Sequence, residues 1–371
     1  MKYNEGTFRD FFHKWVAIEM TEEIRQRMIG YQGIRTANWV FCYGYVDDHL
    51  GFCFEVLACM REHATDHLFT NKEPNNDLRV TLTAEEVQGL EIVFFEPKKT
   101  KWHIKYQEKL AVIQEHEEHS KIKYTRELTD LDPLRDPYQI DCIMVYLIDS
   151  HEHGEIVWVN LEEDHPPYMM GEIVSEPEYN FGLPIGSLVH VQFIKLEDGR
   201  IKAFCDSEQE KKLTKEDLED GSLLEKRIHE LTMNRNELNG LKVLVILRES
   251  TVWVPCTTIL SEKDQQAVMD MINKEEMEID RKNFSFQDQV RLKPDILTNG
   301  DASFLPVFSS KEAAGEYGTQ FSMIPMDFLD ALNLSKGDDL SGIVVNAFSE
   351  PYEVPFVLYE LIENMGSIFE K

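Results

Sequence analysis

Two apolar, β-prone runs, Trp39–Val46 and Gly51–Leu57, flank the polar break Asp47-Asp48-His49-Leu50 and predict a hairpin. Leu90–Phe95 is another strand-like run, stopped by Pro97. From Lys101 to Ser120, Ile104, Leu110, Val112 and Ile113 recur among charges, which predicts a helix. The pattern then turns strand-rich: Ile140–Ile148, Glu155–Leu161, Gly171–Ser175, Leu188–Leu196 and Arg200–Phe204, separated by His153-Gly154, Pro166-Pro167, Leu183-Pro184-Ile185-Gly186 and Glu197-Asp198-Gly199. A small antiparallel sheet is the expected outcome. Asp206–Gly240 is rich in charge with spaced leucines and predicts connecting helices. Beyond it, Lys242–Leu247 and Ser250–Val254 read as strands, the second closed by Pro255. Ser261 caps a predicted helix carrying Ala267, Val268, Met271 and Ile272 on one face. Phe304–Phe308 is a strand, Ser309-Ser310-Lys311-Glu312 a capping box, Met326–Leu332 a short helix with Pro325 in its first turn, and Gly342–Phe348 a buried strand.

The fold class expected is therefore α+β and multi-domain, since 371 residues exceed the ~150 of an ordinary domain. Charge places the boundaries. Asp136–Ile194 holds eleven acids and no Lys or Arg, whereas Lys101–Arg135 holds seven of each sign. The change falls at Asp132-Pro133-Leu134-Arg135-Asp136-Pro137, where two prolines also discourage a continuing helix. The expected division is 1–130 (α+β), 136–210 (antiparallel, β-rich) and 240–371 (α/β). The whole chain carries 38 Lys and Arg against 68 Asp and Glu, a formal charge of −30. Such a surface repels phosphate backbones and anionic lipid heads, so neither nucleic acid nor membrane is an expected partner.

No run approaches the ~18 to 20 apolar residues that span a bilayer, and Met1–Asp10 mixes charges in a way no targeting segment does. Six cysteines, none in a C-x-x-C pair, predict buried reduced thiols and a cytoplasmic setting. His63-Ala64-Thr65-Asp66-His67 puts two imidazoles one helical turn apart, as a metal-assisted hydrolase would need, but Ala64 stands where the general-base glutamate belongs. His116-Glu117-Glu118-His119 and His151-Glu152-His153 are weaker metal candidates. Phosphate-loop, dinucleotide-loop and nucleophile-elbow motifs are missing from the sequence, and no cofactor is expected. Pro166-Pro167-Tyr168-Met169-Met170 and Ser349-Glu350-Pro351-Tyr352 are loop clusters suited to recognition.

Three motifs in register carry a resemblance. Val252-Trp253-Val254-Pro255, Leu305-Pro306-Val307-Phe308-Ser309-Ser310-Lys311-Glu312-Ala313 and Gly342-Ile343-Val344-Val345-Asn346-Ala347-Phe348-Ser349 resemble the N-terminal domain of the SseB-type (enhanced serine sensitivity) bacterial family over about 251–359. That family usually has Asn-Pro in the last motif, whereas Ala347 follows Asn346 here. Over about 141–205, Glu155–Val159, Met170–Pro177 and Gly186–Val189 resemble YegJ-type bacterial domains of unknown function, without their terminal Asp-Trp. These resemblances imply stress-tolerance or toxin-immunity settings. The functional expectation is a non-enzymatic bacterial protein that binds another protein, such as a basic toxin, with the hydrolase using His63 and His67 as the alternative. Candidate partner-binding residues are Glu162, Glu163, Asp164, Tyr168, Trp253, Phe308 and Asn346. The oligomeric state stays open.

Overall fold

The hairpin predicted around Asp47–Leu50 becomes the centre of a six-stranded antiparallel sheet. Its strands are β1 (Trp15–Glu19), β2 (Trp39–Asp47), β3 (Gly51–Met60), β4 (Leu68–Phe69), β5 (Thr81–Thr83) and β6 (Ile92–Phe95), in the order β4-β3-β2-β1-β6 with β5 also on β3. The computed structural model describes residues 1–61, 68–69, 79–95, 105–151, 153–165, 168–197, 199–259, 291–300, 302–336 and 340–369. Both faces of the sheet are covered. On one, Tyr3, Phe11, Val16, Ile18, Phe52 and Phe54 pack with the short helices α1 (Phe8–Phe11), α2 (Glu22–Arg27) and α3 (Ala84–Val87). On the other, Trp15, Phe41 and Tyr43 meet Leu110 and Ile113 of α4 (Gln107–His119). Double coverage explains why every position of β3 is buried and why its residues lack polar alternation.

One position of β3 is charged. Glu55 is 2 % exposed and sits between Arg79 Nε at 3.1 Å and Lys109 Nζ at 3.2 Å. A carboxylate taken from water needs such partners, and Lys109 thereby fastens α4 to the sheet. A second buried pairing follows at α5 (Lys123–Glu127), where Arg126 reaches both oxygens of Asp141 at 3.0 and 2.6 Å and Asp48 at 2.6 Å.

The strand-rich middle segment makes the expected antiparallel pairings and then closes on itself. β7 (Cys142–Ile148), β8 (Gly154–His165), β9 (Tyr168–Ile173), β10 (Leu188–Lys195) and β11 (Ile201–Asp206) form a closed barrel. Five strands that alternate direction bring the first and last round in the same sense, so the seam between β11 and β7 is parallel. Ile143, Val145, Val157, Val159, Ile173, Val189 and Val191 are among its buried positions. Gly171 sits where a Cβ would lie 2.6 Å from Val159 Cγ1 and 2.7 Å from the Asn160 carbonyl, so β8 and β9 approach at full contact only without one.

The described chain divides into two compact units, Met1–Tyr179 with Gly186–Glu210, and Asn180–Ile185 with Lys211–Lys371. The segment expected as 1–130 and that expected as 136–210, except Asn180–Ile185, thus share the first unit. In the second, α6 (Ser222–Met233) and α7 (Glu237–Glu249) lead into β12 (Thr251–Ile259). A three-stranded sheet, β13-β12-β16, uses β13 (Arg291–Pro294) and β16 (Ser322–Asp327). A four-stranded one, β14-β15-β17-β18, uses β14 (Leu297–Asn299), β15 (Ala302–Val307), β17 (Gly342–Val345) and β18 (Tyr352–Pro355). The two are bridged at Trp253 and Phe308. Around them lie α8 (Gly315–Gly318), α9 (Phe328–Ser335) and α10 (Tyr359–Asn364).

Three expectations are corrected here. Lys242–Leu247 is helix, not strand: it lies in α7, whose N-terminus Asn236 caps by accepting from Asn239 N at 2.7 Å, and burial of consecutive residues hides the helical period. Pro255 does not close its strand, which runs on to Ile259. Pro325 lies in β16 opposite Trp253, so the following helix starts later, at Phe328. The predicted helix after Ser261 lies outside the described residues.

Candidate functional site

β15 and β17 run parallel side by side, and their carboxyl ends open at Phe308 and Asn346. Such strand ends are where open α/β sheets commonly place function. Asn346 has φ +51, a left-handed conformation that asparagine tolerates better than most residues, and it stops β17. Its side chain is 3 % exposed and fully used. Oδ1 accepts from Ser309 N at 3.0 Å, and Nδ2 donates to Ser309 Oγ at 3.0 Å. Ser309 Oγ in turn donates to Glu225 Oε1 of α6 at 2.6 Å. Gly221, just before α6, has φ +73, and a Cβ there would stand 2.4 Å from the Ser309 carbonyl oxygen. The loop after β15 is thus gripped from two sides.

Phe308 is completely buried and stacks on Phe348, with ring centres 6.1 Å apart. Tyr317 packs against Phe348 at 4.7 Å, and its hydroxyl donates to Asp295. Burial and that carboxylate push the Tyr317 phenol well above its ordinary value. Phe348 itself is 56 % exposed, an aromatic face held rigid from below. Trp253 is half-buried, its ring 4.3 Å beneath the Lys311 ammonium. Among the expected partner-binding residues, then, Phe308 and Asn346 shape the strand ends and offer no surface, while Trp253 offers one face already covered by a cation. The expected capping box is displaced by one residue: Ser310 Oγ accepts from Ala313 N at 3.1 Å, and Ser309 serves the junction instead.

Downstream of Phe348, Pro351 and Tyr352 of the Ser349–Tyr352 cluster, with Glu353, form one wall of a cleft of about 750 Å³. Ile228 and Leu231 of α6, with Pro351 and Tyr352, supply apolar lining, and Arg235, Glu237 and Glu353 add charge. His229 Nδ1 lies 2.8 Å from Glu350 Oε1, tying the loop to α6. Burial pushes the Tyr352 phenol up to about 12, so it stays a hydrogen-bond donor at neutral pH. Arg235, in the α6–α7 connection, and Glu237, the first residue of α7, are exposed positions outside any apolar period and carry no local signal.

In the first unit, Glu162, Glu163 and Asp164 lie on β8 beside a bulge between Leu161 and Glu163. Glu163 pairs with Lys121. Asp164 Oδ2 accepts from Tyr124 N at 2.8 Å and Thr125 N at 3.3 Å, holding the start of α5, and burial pushes its carboxyl up. Cations absent from Asp136–Ile194 therefore arrive from flanking segments, and Glu162 is the exposed member of the three. Tyr168 begins β9, is exposed, and meets His190 edge-on at 6.1 Å. His63 and His67, and Pro166 and Pro167 beside Tyr168, lie outside the described residues. His119 bonds the Glu115 carbonyl at 2.7 Å, and His153 pairs with Asp149 at 3.0 Å. Among the described residues, no group of three or more His, Cys, Asp or Glu could hold a metal, and no helix is long and apolar enough to cross a membrane.

Comparison with known proteins returned no match among curated proteins and none among solved structures. It does not show the YegJ-type resemblance over 141–205. Residues 224–358 match the family model of the SseB protein N-terminal domain, a span that holds Glu225, Trp253, Phe308, Ser309, Asn346 and the cleft. The C-terminal part of this chain is therefore similar to the SseB protein N-terminal domain.

Proposed function

We propose that this chain is a non-enzymatic bacterial protein-binding protein of the stress-tolerance or toxin-immunity kind, whose acidic surface recognises a basic partner. The observation that carries the reading is the charge, 38 basic against 68 acidic residues. A field of that sign speeds encounter with a basic protein and turns acidic ones away. Exposed aromatic residues supply anchors within it, Tyr168 at the start of β9 in the barrel and Phe348 at the strand ends. All six thiols are buried and unpaired, which suits a reducing, cytoplasmic compartment. Burial also raises the Cys53, Cys142 and Cys205 thiols, so none is primed as a nucleophile. The test is capture of host proteins on the immobilised intact chain at low ionic strength, followed by a salt gradient. A basic protein that elutes with rising salt supports the reading. Failure to retain any protein, or retention indifferent to salt, overturns it. Charge reversal for this purpose belongs at Glu162 and Glu163, because reversing Asp164 would remove the cap of α5 as well.

A further inference from the structure

The cleft between α6, the start of α7 and β18 combines three properties seldom found together by accident. Its size, about 750 Å³, falls within the ~300–1,000 Å³ of small-ligand pockets. Its apolar lining, from Ile228, Leu231 and Tyr352, belongs to or packs on the core of the second unit and is therefore fixed in place. Its charges are uncommitted: among the described residues Arg235, Glu237 and Glu353 have neither ion pair nor side-chain hydrogen bond. The neighbouring polar groups are occupied, Thr232 by the Ile228 carbonyl and the Asn236 side chain by Asn239 N. The Tyr352 hydroxyl is likewise without a partner among the described residues.

We infer that this cleft is the docking site for a segment of the protein partner that carries a basic side chain and a carboxylate separated by apolar residues. The inference rests on the protein-binding function proposed above and names the contact. Glu237 and Glu353 accept the basic side chain, and the lining takes the apolar ones. Arg235 takes the carboxylate and sets a specificity that net charge alone cannot. A purely polybasic segment, drawn by the overall field, meets Arg235 as a like charge, and such juxtaposition is how interfaces reject near-misses.

The experiment uses the intact chain and three fluorescent synthetic peptides of equal length, read by anisotropy. One carries a lysine and a glutamate flanking leucines, one is polybasic and one is all-leucine between neutral polar residues. Glu237→Lys with Glu353→Lys is compared with Glu162→Lys and Glu163→Lys, which changes the net charge equally. None of the four positions is buried, and a thermal denaturation midpoint for each variant verifies that the fold is retained. The mixed-charge peptide should bind the unaltered chain best, lose about tenfold or more with the cleft pair, and change within about twofold with the barrel pair. Arg235→Glu should weaken the mixed-charge peptide and tighten the polybasic one. Equal losses from both charge pairs, preference for the polybasic or neutral peptide, or self-association abolished by the cleft substitutions would overturn the assignment. If the captured partner is lost with the barrel pair and kept with the cleft pair, the protein-binding function stands and the cleft does not.

Discussion

Replacing Asn346 separates two roles that meet in one side chain. Asn346→Ala leaves the buried Ser309 N–H without its acceptor, which costs about 1–3 kcal/mol. It also forces alanine into the left-handed region at φ +51, adding about 1–2 kcal/mol. The expected loss is therefore about 2–5 kcal/mol. Asn346→Gly loses the same hydrogen bond but adopts that φ without penalty, so its loss should stay near 1–3 kcal/mol. The gap between the variants, about 1–2 kcal/mol, reports the backbone conformation alone. Because the described chain has two compact units, a global signal does not report the strand ends alone. Urea-dependent hydrogen exchange read by mass spectrometry on peptides covering 302–309 and 342–349 isolates the strand ends. Equal destabilisation by alanine and glycine would refute the conformational part. A change within about 0.5 kcal/mol for either variant would refute the hydrogen-bonding part.

Arg126→Met strands the buried Asp141 carboxylate and should cost the first unit about 3–5 kcal/mol; the double change Arg126→Met with Asp141→Leu should recover much of it, as denaturation midpoints will show. Hydrogen bonds from Lys211 and Thr214 hold the Asp217 carboxyl down at about 2. A depressed acid stabilises the fold above its ordinary value near 3.8 and loses that contribution as pH falls towards 2. Protection of the 211–218 segment, taken relative to the unstructured exchange rate at each pH, should therefore fall across that window, and Asp217→Asn should flatten the dependence. All six thiols should resist a disulfide reagent at mildly alkaline pH in the folded protein and react together in denaturant; fast labelling of any one would contradict its burial.

What could be read from the residues followed the range of the interaction. The β2–β3 hairpin is written locally, in two β-prone runs around Asp47–Leu50. α7 shows no helical period because Lys242–Leu247 is buried on consecutive positions, and only Asn236, six residues before that run, marks a helix start. Closure of the barrel depends on Phe204 meeting Tyr146, a pairing with no local signature. Asn346 stands in an apolar run, but its partner Ser309, and Glu225 bonded to that serine, come from distant segments. The cleft was the least legible feature. Arg235 comes from the α6–α7 connection, Glu237 from the first turn of α7 and Glu353 from an edge strand, and only folding makes them neighbours.

The most direct test of protein binding through an acidic surface is the association rate constant of the intact chain with the partner it captures, followed as ionic strength rises. The expected result is a rate that falls steeply as the screening length shrinks to ~8 Å and below, with dissociation nearly unchanged. An association rate flat across that range would contradict it.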